Sequence, residues 1–241
     1  MRIGVLEAGR VPPDMAERHD GFGPMMERLL QAADPAASVA VYPVIDGVIP
    51  EATTQEDGWI VTGSRHGVYD DLPWMAPLKD FLRRAVADGV PVVGICFGHQ
   101  ILADAMGGRV AKSDRGWGVG VHRYRVARTL PFMTGDILEF AIQAMHQDQV
   151  VEPPPGAEVV ATSDFCPYAA LAYGSTAISF QGHPEFSAGF SEELIRTRKG
   201  SLIPDATADA ALATLAAETD AATLGGWIAA FYRNAAAGRA A

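Results

Sequence analysis

Val90-Pro91-Val92-Val93-Gly94-Ile95-Cys96-Phe97-Gly98-His99-Gln100 changes character at its middle. Val90 to Ile95 is apolar on both faces, the pattern of a strand buried in a parallel sheet that is covered on both sides. Beyond Cys96 a helix is predicted to begin at Phe97 and to open into Ile101-Leu102-Ala103-Asp104-Ala105-Met106. The chain thus places a cysteine where a strand becomes a helix. Gly94 and Gly98 remove the side chains that would obstruct so tight a turn. A sulfur there is expected to be exposed and oriented, with the helix N-terminus pointing its dipole and free N–H groups at it. Those groups favour the thiolate and can bind an oxyanion. The plainer alternative is a small buried cysteine at a crossing of helix and strand.

Outward from this turn, β-rich and helical runs alternate. Ile3 to Leu6, Ser38 to Tyr42 and Gly58 to Thr62 read as strands, and residues 24 to 33 as a helix. Leu72 to Asp88 is helical, with Trp74, Leu78, Phe81, Leu82, Ala85 and Val86 recurring at three and four residues and Gly89 ending it. From about residue 109 the texture is strand alternation: Trp117 to Val126, then 139 to 145, 158 to 163, 166 to 173 and 176 to 181. These are expected as antiparallel or mixed strands at the edge of the sheet. The fold class predicted is α/β, an open and mostly parallel sheet with helices on both faces and antiparallel edge strands.

Trp227, Ile228 and Phe231 at helical spacing predict a last helix packed on the domain. The whole chain, 1–241, is expected to be one domain, with 1–190 as the core carrying the motifs and 191–241 as a C-terminal helical extension. Arg196-Thr197-Arg198-Lys199 is expected in the last turn of a helix, where cations suit the macrodipole.

Composition narrows the function classes. Of 241 residues, 49% are hydrophobic and 20% charged, which suits a globular protein with a substantial core. The formal charge of −10, with scattered Lys and Arg, gives no electrostatic case for a nucleic-acid partner. No apolar run approaches the roughly 20 residues that span a bilayer, so no membrane partner is expected. Met1 to Glu7 is too soon broken by an acid to be a secretory segment. Two cysteines, Cys96 and Cys166, are not a disulfide framework, and a reducing cytoplasmic location is expected.

A nucleophilic thiol needs a base. The strand Thr176 to Gln181 runs into Gly182-His183-Pro184-Glu185-Phe186. Residues i and i+2 of an extended chain project to one side, so Glu185 can accept from the His183 imidazole while the other ring nitrogen faces a sulfur. Read as a metal pair, His183 and Glu185 lack two further ligands at suggestive spacings. No metal site and no cofactor is predicted. His99 is expected to point away from Cys96, and Cys166, which has no glycine turn, to be a packing residue.

These motifs carry a resemblance to the class I, triad-type glutamine amidotransferases. Gly94 to Gln100 resembles their G-x-C-x-G-x-Q elbow, and Gly182-His183-Pro184-Glu185 their H-P-E strand end. Val61-Thr62-Gly63-Ser64 resembles the glycine loop before the elbow, Gly116-Trp117-Gly118 a later loop, and Met145-His146-Gln147-Asp148-Gln149-Val150 the H-x-D-x-V segment. The likeness spans roughly residues 1 to 190, its motifs fall in the expected order, and within the family it is strongest to the amidotransferase domain of GMP synthase. The resemblance implies a flavodoxin-like core and a glutaminase. Cys96 would attack the side-chain amide of glutamine, His183 would protonate the departing ammonia, and Glu185 would orient His183. The N–H groups of Phe97 and Gly63 would form the oxyanion hole. Gln100, Gly98, Trp117 and His146 would contact substrate, although His146 is equally readable as a turn histidine satisfied by Asp148.

No P-loop or nucleotide fingerprint appears, so the ammonia acceptor is expected elsewhere, on a separate synthase subunit. The second reading is a stand-alone γ-glutamyl peptidase, making the same thioester from a γ-glutamyl peptide. The third is a silent scaffold, which has no physical need for Cys96, His183 and Glu185 together.

Overall fold

The structure, a computed structural model, describes residues 1–239. In chain order the elements are β1 (Arg2–Leu6), α1 (Phe22–Gln31), β2 (Ser38–Tyr42), β3 (Gly58–Val61), α2 (Met75–Ala87), β4 (Val92–Ile95), α3 (Phe97–Ala105), β5 (Arg109–Lys112), β6 (Gly118–Val126), β7 (Glu139–His146), β8 (Asp148–Glu152), β9 (Glu158–Thr162), β10 (Ala170–Tyr173), β11 (Ala177–Phe180), α4 (Ala188–Arg198), α5 (Asp205–Thr214) and α6 (Ala221–Arg239). Pro24 and Pro77 each fall in the first turn of their helices, where a missing N–H leaves no bond unmade. That allows α1 to begin at Phe22, two residues before the predicted start.

Within the described residues the main sheet has nine strands, ordered β2-β1-β3-β4-β11-β10-β9-β6-β7. From β2 to β11 every pairing is parallel, and from β11 to β7 every pairing is antiparallel. The open α/β sheet with antiparallel additions is therefore as expected, with one correction. The strand at 176 to 181 is not at an edge: β11 lies in the middle of the sheet, parallel to β4, with Ala177 opposite Val92 and Phe180 opposite Ile95. Its four residues are buried on both faces, as are those of β4, which is the environment of a central parallel strand. The strand expected from 166 starts only at Ala170, because Cys166 to Ala169 form a turn that contains Pro167. β5 and β8 pair as a separate small sheet that the sequence reading did not foresee.

Alternation along the parallel strands divides the core. Ile3, Val5, Ile60, Val93 and Ile95 meet Met26 and Leu30 of α1 and Trp227, Ile228 and Phe231 of α6. Leu6, Trp59, Val61 and Val92 meet Leu78, Phe81 and Leu82 of α2 and Ile101 and Leu102 of α3. A third cluster places Phe190, Leu194 and Ile195 of α4 and Ala208 and Ala211 of α5 against Val119 and Met145 on the antiparallel half. The Thr214 hydroxyl accepts the Val121 N–H at 2.8 Å, tying the end of α5 to β6. In this arrangement the C-terminal ends of β4 and β11 lie side by side, with β7 reaching toward them through the bridge between Gln143 and His183. Among the described residues no helix is long and apolar enough to cross a membrane.

Candidate active site

The turn from β4 into α3 holds Cys96 at φ 54° and ψ −103°. Positive φ in a residue with a Cβ is strained by about 1–3 kcal/mol and persists only where surrounding bonds impose it. Here the Cys96 N–H donates to the Phe180 carbonyl at 2.8 Å, and the Cys96 carbonyl accepts the Gln100 N–H at 3.1 Å. The flanking glycines allow this close packing. A Cβ on Gly94 would lie 2.5 Å from the Gly98 carbonyl oxygen, and one on Gly98 would lie 2.3 Å from that of Val61. The sulfur is 3.9 Å from the Met145 carbonyl oxygen.

His183 and Glu185 follow β11 directly. The His183 N–H donates to the Gln143 carbonyl at 2.7 Å, pinning the backbone to β7. The imidazole Nδ1 lies 2.7 Å from Glu185 Oε1, with both side chains buried. Since a carboxylate only accepts, Nδ1 carries the proton in this pair. The Phe186 ring stacks on the imidazole at 3.9 Å between centroids and 8° between planes, fixing the ring orientation. Burial alone would push the His183 pKa down. The charges of Cys96 and Glu185, with hydrogen bonds to both, outweigh it and hold His183 above its ordinary value. The Cys96 thiol and the imidazole thus act on one another's charge. The structure brings together the cysteine, the histidine and the carboxylate that the sequence singled out, and Gly63 lies against the His183 ring, where a Cβ would come within 2.9 Å of Cε1.

Cys96 opens into a pocket of about 370 Å³ that Gln100, Trp117, His146, Tyr69 and Arg198 also line. Gln100 sits at its inner wall with its amide nitrogen donating to the Asp148 carbonyl at 2.8 Å and to Gln181 Oε1 at 3.2 Å. Gly98 does not line the pocket. It stands at the crossing of α3 on β3, where its missing side chain lets the Val61 carbonyl approach. His146 is buried, and its pKa is pushed down to about 3 by burial and by the neighbouring histidines, so it is neutral. Its Nδ1 pairs with the backbone carbonyl of Asp148 at 3.1 Å, whereas the Asp148 carboxylate accepts from the Tyr69 hydroxyl at 2.9 Å. His99 is buried beneath the elbow with Nδ1 2.7 Å from the Ser179 hydroxyl. Cys166 is buried, and burial pushes its thiol up to about 12.

Three contributors escaped the sequence reading. Phe186 is legible only as the aromatic after Glu185, and nothing in the sequence marks Tyr69. Arg198 stands in the last turn of a helix, as its basic cluster predicts, yet it lines the pocket.

Known proteins share this framework. Residues 23–198 match the family described as glutamine amidotransferase class-I. Gamma-glutamyl peptidase 3 of Arabidopsis thaliana is 30% identical over 184 residues, 73% of this chain and 74% of its own length. One subunit of the glutamine-hydrolyzing GMP synthase of Haloarcula marismortui is 31% identical over 71% of this chain and 84% of its own. Among solved structures, a glutamine amidotransferase from Thermotoga maritima superposes with a TM-score of 0.76 at 20% identity, covering 98% of this chain and 97% of that one, a likeness of fold.

Proposed function

The chain belongs to the class-I glutamine amidotransferase family, and from that membership we propose that it hydrolyses γ-glutamyl amide bonds, with Cys96, His183 and Glu185 as its catalytic residues. The observation that carries this reading is the cysteine at positive φ between β4 and α3, facing a buried histidine whose other nitrogen is 2.7 Å from a carboxylate. In the proposed reaction Cys96 gives its thiol proton to Nε2 of His183 as Sγ attacks the γ-carbonyl carbon, and the N–H groups of Phe97 and Gly63 receive the oxyanion. His183 gives its proton to the departing amine as the C–N bond breaks, leaving a γ-glutamyl thioester. Water then attacks that thioester, giving a proton to His183, and glutamate leaves as the thiol re-forms.

The proposed leaving group is an amino acid or peptide. The Arabidopsis relatives named gamma-glutamyl peptidase support it, since this chain aligns with about three quarters of the length of one of them. The second reading, glutaminase activity feeding ammonia to a separate synthase subunit, draws on the Haloarcula GMP synthase relative, most of whose length is matched. Two free cysteines accord with work in a reducing cytoplasm.

The test is incubation of the purified chain alone with glutamine and with γ-glutamyl dipeptides, following glutamate, amine and ammonia. Turnover of a dipeptide faster than of glutamine is expected. Rapid release of ammonia from glutamine with no cleavage of any dipeptide would replace the leading reading with the second.

A further inference from the structure

The cations at the end of α4 have different fates. Arg196 pairs with Glu192 at 2.8 Å, and Lys199 pairs with Asp209. Arg198 does neither: among the described residues no carboxylate faces its guanidinium, and the charged group that acts on it is Cys96. It is half-buried and lines the same pocket as that sulfur, beside Leu202. Surface arginines lose little by standing alone, but a guanidinium that has given up part of its hydration without gaining an acceptor is incomplete. The group that completes it is an anion in the pocket.

Another stretch of the pocket wall differs in kind. Asp148, with Tyr69 bonded to its carboxylate, lies close enough to Lys112 for the lysine to stabilise its charge, and Asp70 and His66 are beside them. That wall offers both signs of charge. A γ-glutamyl head group carries both an α-ammonium and an α-carboxylate, so it matches the mixed wall. In a γ-glutamyl amino acid the leaving part has its nitrogen tied up in the amide and keeps a carboxylate as its main-chain charge. That lone anion matches Arg198, which is half-buried, whereas Arg65, which also lines the pocket, is exposed and keeps its hydration. Ammonia, the leaving group from glutamine, has nothing to offer Arg198.

We propose that Arg198 is a specificity residue that binds the carboxylate of the leaving amino acid, so that the site prefers γ-glutamyl amino acids to glutamine and to neutral γ-glutamyl amides. This rests on reading Cys96 as the nucleophile of a γ-glutamyl hydrolase. A planar, bidentate partner fits the fork of the guanidinium and sets the amide nitrogen over Cys96.

The test compares γ-glutamylglycine with γ-glutamylglycinamide, which differ only in the charge of the leaving group, on the wild type, Arg198→Gln and Arg198→Lys. Loss of a charge-assisted pair is expected to lower kcat/KM for γ-glutamylglycine by about 10- to 100-fold in Arg198→Gln, mostly through KM, with partial recovery in Arg198→Lys. For the glycinamide the change is expected to stay within about threefold. An equal fall for both substrates would overturn the proposal, because it would place Arg198 on the thiolate or on the shared γ-glutamyl head. No fall for either would overturn it as well. A wild type that cleaves neither compound removes the γ-glutamyl reading itself, a failure visible before any substitution is made.

Discussion

Replacing Glu185 by Gln keeps the side chain's shape and removes its charge, which isolates what the carboxylate does for His183. In the wild type Oε1 stands 2.7 Å from Nδ1 with both groups buried. A charge-assisted bond of this type is worth about 1.5–3 kcal/mol, equivalent to about 10- to 150-fold in rate if it is lost in the transition state. The amide adds a second effect. If its NH2 faces Nδ1, the imidazole must accept there and carry its proton on the nitrogen meant for the thiol, a tautomer error that can cost about 10⁴-fold. The expected result is a fall in kcat of about 10²- to 10⁴-fold with KM nearly unchanged. The pH profile supplies an independent sign. Burial lowers the His183 pKa while Cys96 and Glu185 raise it, so removing one raising charge should move the alkaline limb of kcat to lower pH. Steady-state release of glutamate from a γ-glutamyl dipeptide across pH is the assay, with thermal unfolding to show the variant is folded. A folded Glu185→Gln protein with kcat within about threefold of wild type, and an unmoved alkaline limb, would refute the role given to the carboxylate.

Gly98→Ala places a Cβ 2.3 Å from the Val61 carbonyl and 2.9 Å from the Val61 side chain, neither of which can swing away within a central strand. It should lower the stability seen in urea denaturation by about 1–3 kcal/mol, and a loss under about half a kcal/mol would contradict so close a crossing of α3 on β3. His99, buried and with its pKa pushed down to about 3, stays neutral in the fold but takes a proton on unfolding below its ordinary value of 6.5. Its contribution is therefore whole above that value and is lost as pH falls toward 3, at about 1.4 kcal/mol per pH unit. His99→Asn should show a shallower loss of stability on acidification than the wild type by that amount, whereas parallel curves would mean that His99 is not the buried neutral group.

Much of the candidate site was legible because its geometry is local. A cysteine between glycines at a strand end and a His-x-Glu pair at another strand end are each set by a few consecutive residues, and neighbouring parallel strands bring them together. What escaped depends on tertiary placement. β11 has four residues buried on both faces, too few for alternation to separate a central parallel strand from an edge strand. β5 and β8 are short and find each other only through the small sheet. Helical periodicity puts Arg198 in the last turn of α4, but its direction is decided by how α4 seats on Val119 and Met145. The motif contains Gly98 without saying why, and the reason is tertiary: the Val61 carbonyl approaches where a side chain would stand. The stripe of Trp227, Ile228 and Phe231 was readable for the opposite reason, since α6 buries one face along a regular helix.

The central claim is that amide cleavage passes through a covalent γ-glutamyl group on Cys96. Acid quenching during turnover of a γ-glutamyl dipeptide, followed by mass spectrometry of the digested chain, tests it directly. A single γ-glutamyl adduct on the peptide containing Cys96, absent from Cys96→Ala and never found on Cys166, is the predicted result. Turnover with no adduct at any quench time, or undiminished turnover by a folded Cys96→Ala protein, would contradict it.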